Sequence, residues 1–127
     1  MRFAHLSDLH LGKYLNQYSL LEDQEYIMKQ ILRIIQEQDI ETVLIAGDVY
    51  DRPVPPGEAV ALFDDFLSRL AGDQRKVFII SGNHDSPERI AFASRLIAGS
   101  GVYLSPVFHG EIRPVRLEDS YGPVNFY

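Results

Sequence analysis

Three turns rich in acidic and histidine side chains punctuate the chain, and each directly follows an apolar, strand-like run. Ser7-Asp8-Leu9-His10 follows Phe3–Leu6, Gly47-Asp48-Val49-Tyr50-Asp51 follows Thr42–Ala46, and Gly82-Asn83-His84-Asp85 follows Lys76–Ser81. The carboxyl ends of parallel strands in an open sheet look onto one shared crevice. Three loops far apart in sequence would therefore carry Asp8, His10, Asp48, Asn83 and His84 to one place. Oxygen and imidazole ligands together suit manganese, iron or zinc better than a thiol-seeking ion.

The segments between the motifs have helical spacing. Leu20, Ile27, Ile31, Ile34 and Ile35 mark a first helix from about Leu21 to about Gln38, after a polar loop from Lys13 to Ser19. Val60, Phe63, Phe66, Leu67 and Leu70 mark a second, with Pro56 near its start and Gly72 as its C-terminal cap. Ser86 as N-cap and Pro87 in the first turn open a third, with Ile90, Ala93, Leu96 and Ile97 buried and Gly99-Ser100-Gly101 ending it. Strands alternating with helices predict an α/β fold with a parallel sheet. If the strands lie in sequential order, right-handed crossovers put all three helices on one face. The second and third strands are apolar on both faces, so something else must cover the far one. After Gly101 the texture changes. Pro106, Gly110, Pro114, Gly122 and Pro123 break up short runs such as Val102–Leu104 and Ile112–Leu117, which read as strands of a second sheet.

Composition narrows the function class. The 127 residues are one domain's worth of chain and contain no cysteine, which excludes disulfides and thiolate metal sites. No apolar run is long enough to span a membrane, and Met1-Arg2-Phe3-Ala4-His5 has no signal-peptide character, so a cytoplasmic location is expected. A net charge of −6 argues against a protein that holds nucleic acid by bulk charge. It leaves room for a nuclease, because bound divalent cations reverse the sign locally.

Each chemical residue has a plain structural alternative. Asp8 and His10, two apart, would lie on one side of an extended strand end, but Asp-x-His is also a turn aspartate beside a surface histidine. Asp48 could bridge two cations about 3.5–4 Å apart, or simply close an Asx-turn. Asn83 offers a neutral carbonyl ligand, or a residue tolerant of the left-handed conformation. His84 would diverge from Asn83 toward a phosphate, or sit in solvent. Taken jointly these alternatives fail, because three separate loops would each have to carry ligand-type residues directly after a strand. The set reads as most of a two-metal phosphoesterase site.

The motifs Asp8-x-His10, Gly47-Asp48 and Gly82-Asn83-His84-Asp85 resemble the first three motifs of the calcineurin-like metallophosphoesterases. The closer resemblance is to the SbcD-type double-strand-break nuclease subunits, through His5-Leu6-Ser7-Asp8-Leu9-His10-Leu11-Gly12, Ala46-Gly47-Asp48-Val49-Tyr50-Asp51 and Gly82-Asn83-His84-Asp85-Ser86. It runs from Met1 to about Ala98, and more loosely to Tyr127. The resemblance implies a layered αββα sandwich of which residues 1–127 form an N-terminal, truncated part, with about 1–98 the parallel βα units and about 102–127 short strands of a second sheet. It implies two divalent cations, with manganese preferred. Asp8 and His10 are then expected on the first ion, Asp48 as the bridge and Asn83 on the second ion. His84 is the catalytic histidine, and Asp85 the acidic catalytic partner that closes the motif. The implied activity is 3′-to-5′ exonuclease and endonuclease cleavage of DNA in repair, with an SMC-like ATPase partner of the SbcC type.

The family completes its site with three further histidines from later loops, and only His109 follows His84 here, in a surface setting. The chain by itself is therefore expected to be inactive or weak. His5 is expected to be structural, as a core or supporting imidazole. Asp51 is expected to steady the Asp48 loop by capping backbone amides or pairing with Arg52. Lys13, Tyr14 and Tyr18 are compatible with nucleic-acid contact. Large apolar groups such as Phe63, Phe66, Phe92 and Leu96 exceed what one sheet face needs, and a homodimer through the second and third helices is expected. Two other functions share these residues: a phosphatase of phosphoproteins or small nucleotides, and a non-catalytic dimerisation module.

Overall fold

The computed structural model describes residues 1–72 and 74–127. Its elements in chain order are β1 (Phe3–Leu6), a small hairpin of β2 (Tyr14–Leu15) and β3 (Tyr18–Ser19), α1 (Leu21–Glu37), β4 (Thr42–Ala46), α2 (Gly57–Ala71) and β5 (Lys76–Ile80). Then come α3 (Pro87–Ile90), α4 (Ser94–Ile97), β6 (Val102–Leu104) and an antiparallel hairpin of β7 (Val115–Asp119) and β8 (Gly122–Phe126). The expected α/β class holds: β1, β4, β5 and β6 form one parallel sheet in that spatial order. Val102–Leu104, expected in a second sheet, instead pairs with β5 as the fourth parallel strand. Gly101 makes this possible. It turns left-handed at φ 87° after a 3-10 turn, and its carbonyl accepts the first bond from Val77.

Alternation along the strands separates two faces. Val43, Ile45, Val77, Ile79 and Val102 are buried together with Met28 and Ile35 of α1 and Ala59, Phe63, Phe66 and Leu70 of α2, which forms the core. On the other face Leu44, Phe78 and Tyr103 stand in register. Phe126 of β8 stacks on Phe78 with ring centroids 4.5 Å apart, and Tyr103 stacks beside it at 4.8 Å. The C-terminal hairpin thus supplies part of the cover that the far face needs, and the Met1 amine pairs with Asp119 to hold it. His5, expected in a core or supporting role, is exposed, because its register opposite Leu44 puts it on this far face.

The helices match expectation at their starts better than along their faces. α1 is buried through Met28 and Ile35, whereas Ile27 and Ile34 are about half exposed at 53% and 56%. The third helix is not continuous. Ser86 caps its start by accepting from the Arg89 amide, but a turn at residues 91–93, with Ala93 left-handed at φ 60°, splits it into two single turns. Periodicity is lost there, so Leu96, expected to be buried, is 84% exposed, and Phe92 is 80% exposed. Among the described residues, no helix is long and apolar enough to cross a membrane.

Candidate metal centre

The site is built from the turns that follow β1, β4 and β5. The first two continue to pair after their strands end. The Asp8 amide donates to the Gly47 carbonyl, those of His10 and Leu11 to Asp48 and Val49, and that of Asp51 back to Leu11. Gln24 of α1 clamps the first turn from behind. Its Nε2 donates to the carbonyls of Leu9 and His10 (3.3 and 2.8 Å), and its Oε1 accepts from the Gly12 amide at 3.0 Å. Sequence inspection gave no sign of this role, since a glutamine near a helix start is ordinary.

Asp8, His10 and Asp48 all adopt left-handed backbones, at φ 55°, 44° and 49°. Such conformations are uncommon outside glycine and are held only where the surroundings over-determine them. Asp8 and His10 therefore do not share a side of an extended strand, as their spacing predicts. They meet through two reversals of the backbone, which bring Asp8 Oδ1 to 3.7 Å from His10 Nε2.

Two glycines let the second and third turns touch. A Cβ on Gly47, itself at φ 84°, would lie 2.9 Å from Gly82 Cα, and one on Gly82 would lie 2.1 Å from Asp48 Oδ1 and 2.3 Å from its amide. With the turns in contact, the His84 amide donates to Asp48 Oδ1 at 2.9 Å. Asp85 is buried, and its carboxylate accepts from the amides of Val49, Tyr50 and Gly82 at 3.1, 2.9 and 2.9 Å. Those bonds tie the Asp48 turn to the third turn. Tyr50 stands behind them edge-on to Phe63, and burial, with Asp85 and Asp64 nearby, pushes its hydroxyl up to about 12.

Of the six residues expected at the site, the side chains of His10, Asp48 and His84 present atoms within 4.8 Å of one another. Asp8 joins through His10. Asp85 points its carboxylate into backbone amides. Asn83 is exposed at the start of its turn and is not left-handed. The His10 and His84 rings meet edge to face at 4.8 Å. Asp51, expected to cap amides or pair with Arg52, instead stands 3.4 Å from His10 Nδ1 and 3.9 Å from Lys13 Nζ, while its carbonyl lies 3.0 Å from His84 Nδ1. His109 is exposed and distant in the fold's order from these turns.

This donor set fits a divalent ion. His10 Nε2 is 3.7 Å from Asp8 Oδ1 and also 3.7 Å from Asp48 Oδ2. Both distances are too long for hydrogen bonds. They suit two ligands of one ion, which at bond lengths of roughly 2.1 Å stand about 3–4 Å apart. Three carboxylates, Asp8, Asp48 and Asp51, also crowd the two imidazoles, and a cation is the charge such a cluster lacks.

A parallel sheet whose strand ends gather carboxylates and imidazoles in this way marks the class. The family model described as calcineurin-like phosphoesterase matches residues 1–122, and the chain belongs to that family, whose members use divalent metal ions. More particularly, it is 34% identical over 118 residues to the SbcD subunit of the SbcCD nuclease of Staphylococcus epidermidis. The alignment covers 92% of this chain and 32% of that protein, so the chain spans about a third of the length of this curated relative.

Proposed function

We propose that this chain carries the first part of the active site of a metal-dependent DNA nuclease, acting as the nuclease subunit of an SbcCD-type complex. The observation that carries the proposal is the convergence of His10, Asp48 and His84, from three separate strand ends, within 4.8 Å. The similarity to an SbcCD nuclease subunit supports DNA as the substrate. The proposal takes an SbcC-type ATPase as the partner, in keeping with the name of that relative. It adds 3′-to-5′ exonuclease and endonuclease cleavage in repair, manganese as the ion and a cytoplasmic setting as what the resemblance of the three motifs implies.

In this proposal Asp8 and His10 would hold the first of two ions, Asp48 would serve both, and Asn83 would serve the second. Bound divalent ions supply a nucleophile at neutral pH and a clamp on the phosphate oxygens. His84 donates its Nδ1–H to the Asp51 carbonyl, since a carbonyl only accepts, and this leaves Nε2 for the substrate. When protonated, His84 offers Nε2–H to a phosphoryl oxygen and a proton to the leaving oxygen. Asp85, its oxygens engaged by three amides, is a positioning residue for the Asp48 turn.

The test separates metal binding from turnover in the full-length protein. His84→Ala should keep manganese affinity and lose most hydrolysis of single-stranded DNA, by a factor on the order of 10²–10⁴. Asp48→Ala should lose both. Equal loss of metal in the two variants would refute the assignment of His84. A phosphorylated peptide or a cyclic nucleotide hydrolysed faster than DNA would move the protein to another branch of the family.

A further inference from the structure

The first turn reverses at every second residue, with Asp8, His10 and Gly12 left-handed at φ 55°, 44° and 83°. The second turn engages its amides at Asp8, His10 and Leu11, but leaves the carbonyls of Leu9 and His10 and the amide of Gly12 to other partners. One side chain takes all three. Gln24 Nε2 donates to the carbonyls of Leu9 and His10 at 3.3 and 2.8 Å, and its Oε1 accepts from the Gly12 amide at 3.0 Å. Gln24 is itself anchored. Its own amide donates to the Leu20 carbonyl at 2.9 Å, and the Leu20 amide donates to Lys13 at 3.0 Å, which closes the loop between the first turn and α1. Gly12 is also packed against the start of α2, where a Cβ would lie 3.0 Å from the Pro56 ring and 3.1 Å from Ala59.

Only a primary amide ends in two donor hydrogens and an acceptor oxygen. A carboxylate at the same place would accept from Gly12 but set its oxygens against two carbonyls, and a thioether would satisfy none of the three groups. The need is specific because a left-handed histidine is held only where its surroundings over-determine it. His10 is gripped from both sides. Its amide donates to the Asp48 carbonyl at 2.9 Å, and its carbonyl accepts from Gln24 at 2.8 Å. That grip fixes the direction in which the side chain leaves the backbone, and with it the place of Nε2, 3.7 Å from both Asp8 and Asp48.

We infer that Gln24 is a positioning residue for metal binding: its amide locks the first turn from the helix side and so holds His10 Nε2 where it meets Asp8 and Asp48. This rests on the metal reading above for its purpose, but not for its geometry. Charge and position make opposite predictions for Gln24→Glu. By charge alone, a carboxylate added behind a cation site tightens binding. By position, the same change removes both donors, opens the turn and weakens binding.

Gln24→Glu and Gln24→Met test this, with Gln36→Glu, exposed near the other end of α1, as the charge control. NMR of the metal-free chain at about pH 8, where an ordinary carboxyl is ionised, gives the first readout. Exchange of the Gly12 amide with solvent should be slowed in the wild type and fast in Gln24→Met. A Gly12 amide already fast in the wild type overturns the inference without any variant. Cross-relaxation between the His10 and His84 rings should weaken in both Gln24 variants and persist in Gln36→Glu; an unchanged ring contact in Gln24→Met overturns the inference. Manganese is then titrated into the same samples, with the core signals of Val43 and Ile79 confirming that each is folded. Affinity, read from broadening of the His10 signals, should fall about 10–100-fold in both Gln24 variants. A Gln24→Glu chain that binds manganese as tightly as the wild type, or more tightly, overturns the inference. So does a lower urea midpoint with unchanged affinity, the mark of a merely structural role. If the ring contact weakens as expected and manganese binds no form, wild type included, Gln24 keeps its positioning role and the metal reading is what fails.

Discussion

The backbone amide of His84 holds Oδ1 of Asp48 at 2.9 Å, which leaves Oδ2 turned toward His10 Nε2 at 3.7 Å. One oxygen of the central carboxylate is therefore fixed by the third turn, and the other is free for an ion. The residue proposed for the transition state thus also orients, through its main chain, the residue proposed for the metals. A side-chain change at His84 leaves that amide in place, which is why His84→Ala is expected to retain metal.

Asp85→Asn should destabilise the chain. The buried carboxylate accepts from three amides, and an amide side chain offers one acceptor oxygen in place of two. Hydrogen bonds to a charged group contribute about 1.5–3 kcal/mol each, so a loss of roughly 2–3 kcal/mol is expected in urea unfolding. Glu88→Gln, on an exposed residue of the same segment, should stay within about 0.5 kcal/mol of the parent. Similar midpoints for the two variants would contradict the proposed tie.

Gly82→Ala should separate the second and third turns. The added Cβ would fall 2.1 Å from Asp48 Oδ1, and neither that carboxylate nor its amide can yield without breaking the His84 contact. The expected cost is on the order of 1–3 kcal/mol, together with loss of manganese binding by calorimetry. Gly99→Ala, where a Cβ meets nothing within 4 Å, is the matched control and should be close to silent.

The chain should bind one divalent ion appreciably, through Asp8, His10 and Asp48. Those side chains gather around His10 Nε2, whereas Asn83 is exposed and a neutral carbonyl alone makes a poor second site. Calorimetric titration with manganese should give a single weak event that Asp48→Ala abolishes. Two tight sites per chain would be incompatible with this assignment.

The contact between the Met1 amine and Asp119 should make docking of the β7–β8 hairpin depend on pH at both ends. The hydrogen bond to Asp119 raises the amine above its ordinary value of 8.0, so its contribution is complete below 8.0 and fades as pH rises through the higher folded value. The same bond, with the Tyr121 amide, lowers Asp119 below its ordinary 3.8. That contribution is complete above 3.8 and fades as pH falls through the lower folded value. NMR shifts of the stacked Phe78 and Phe126 rings should hold steady between those limits and move beyond each. In Asp119→Asn the alkaline change should vanish. If it survives, the amine is not what holds the hairpin.

Phe92→Glu should convert a homodimer of the full-length protein to monomers in light scattering. Phe92, in the turn that splits the third helix, and Leu96, in the helical turn after it, are 80% and 84% exposed, two large apolar groups that solvent alone leaves uncovered. A dimer indifferent to this charge would place the interface elsewhere.

Much of the architecture was written locally. Apolar runs at Phe3–Leu6, Thr42–Ala46 and Lys76–Ile80 became parallel strands, and Ser86-Pro87 opened a helix as capping chemistry requires. The three ligand-bearing turns were legible because parallel strands must deliver their ends to one side. Tertiary structure decided what depends on partners distant in sequence. The left-handed backbones of Asp8, His10 and Asp48 persist because amide ladders between the first two turns hold them there, which no local propensity predicts. Asp85 looked like chemistry and is bound by amides from a turn more than thirty residues away, while Asp51 looked like a loop cap and faces two histidines. Val102–Leu104 joined the first sheet because β5 offered a free edge to a short apolar strand. Residue type and spacing determined which groups could act. Their orientation was settled only when three turns closed against one another, because hydrogen-bond direction is a property of the assembled backbone.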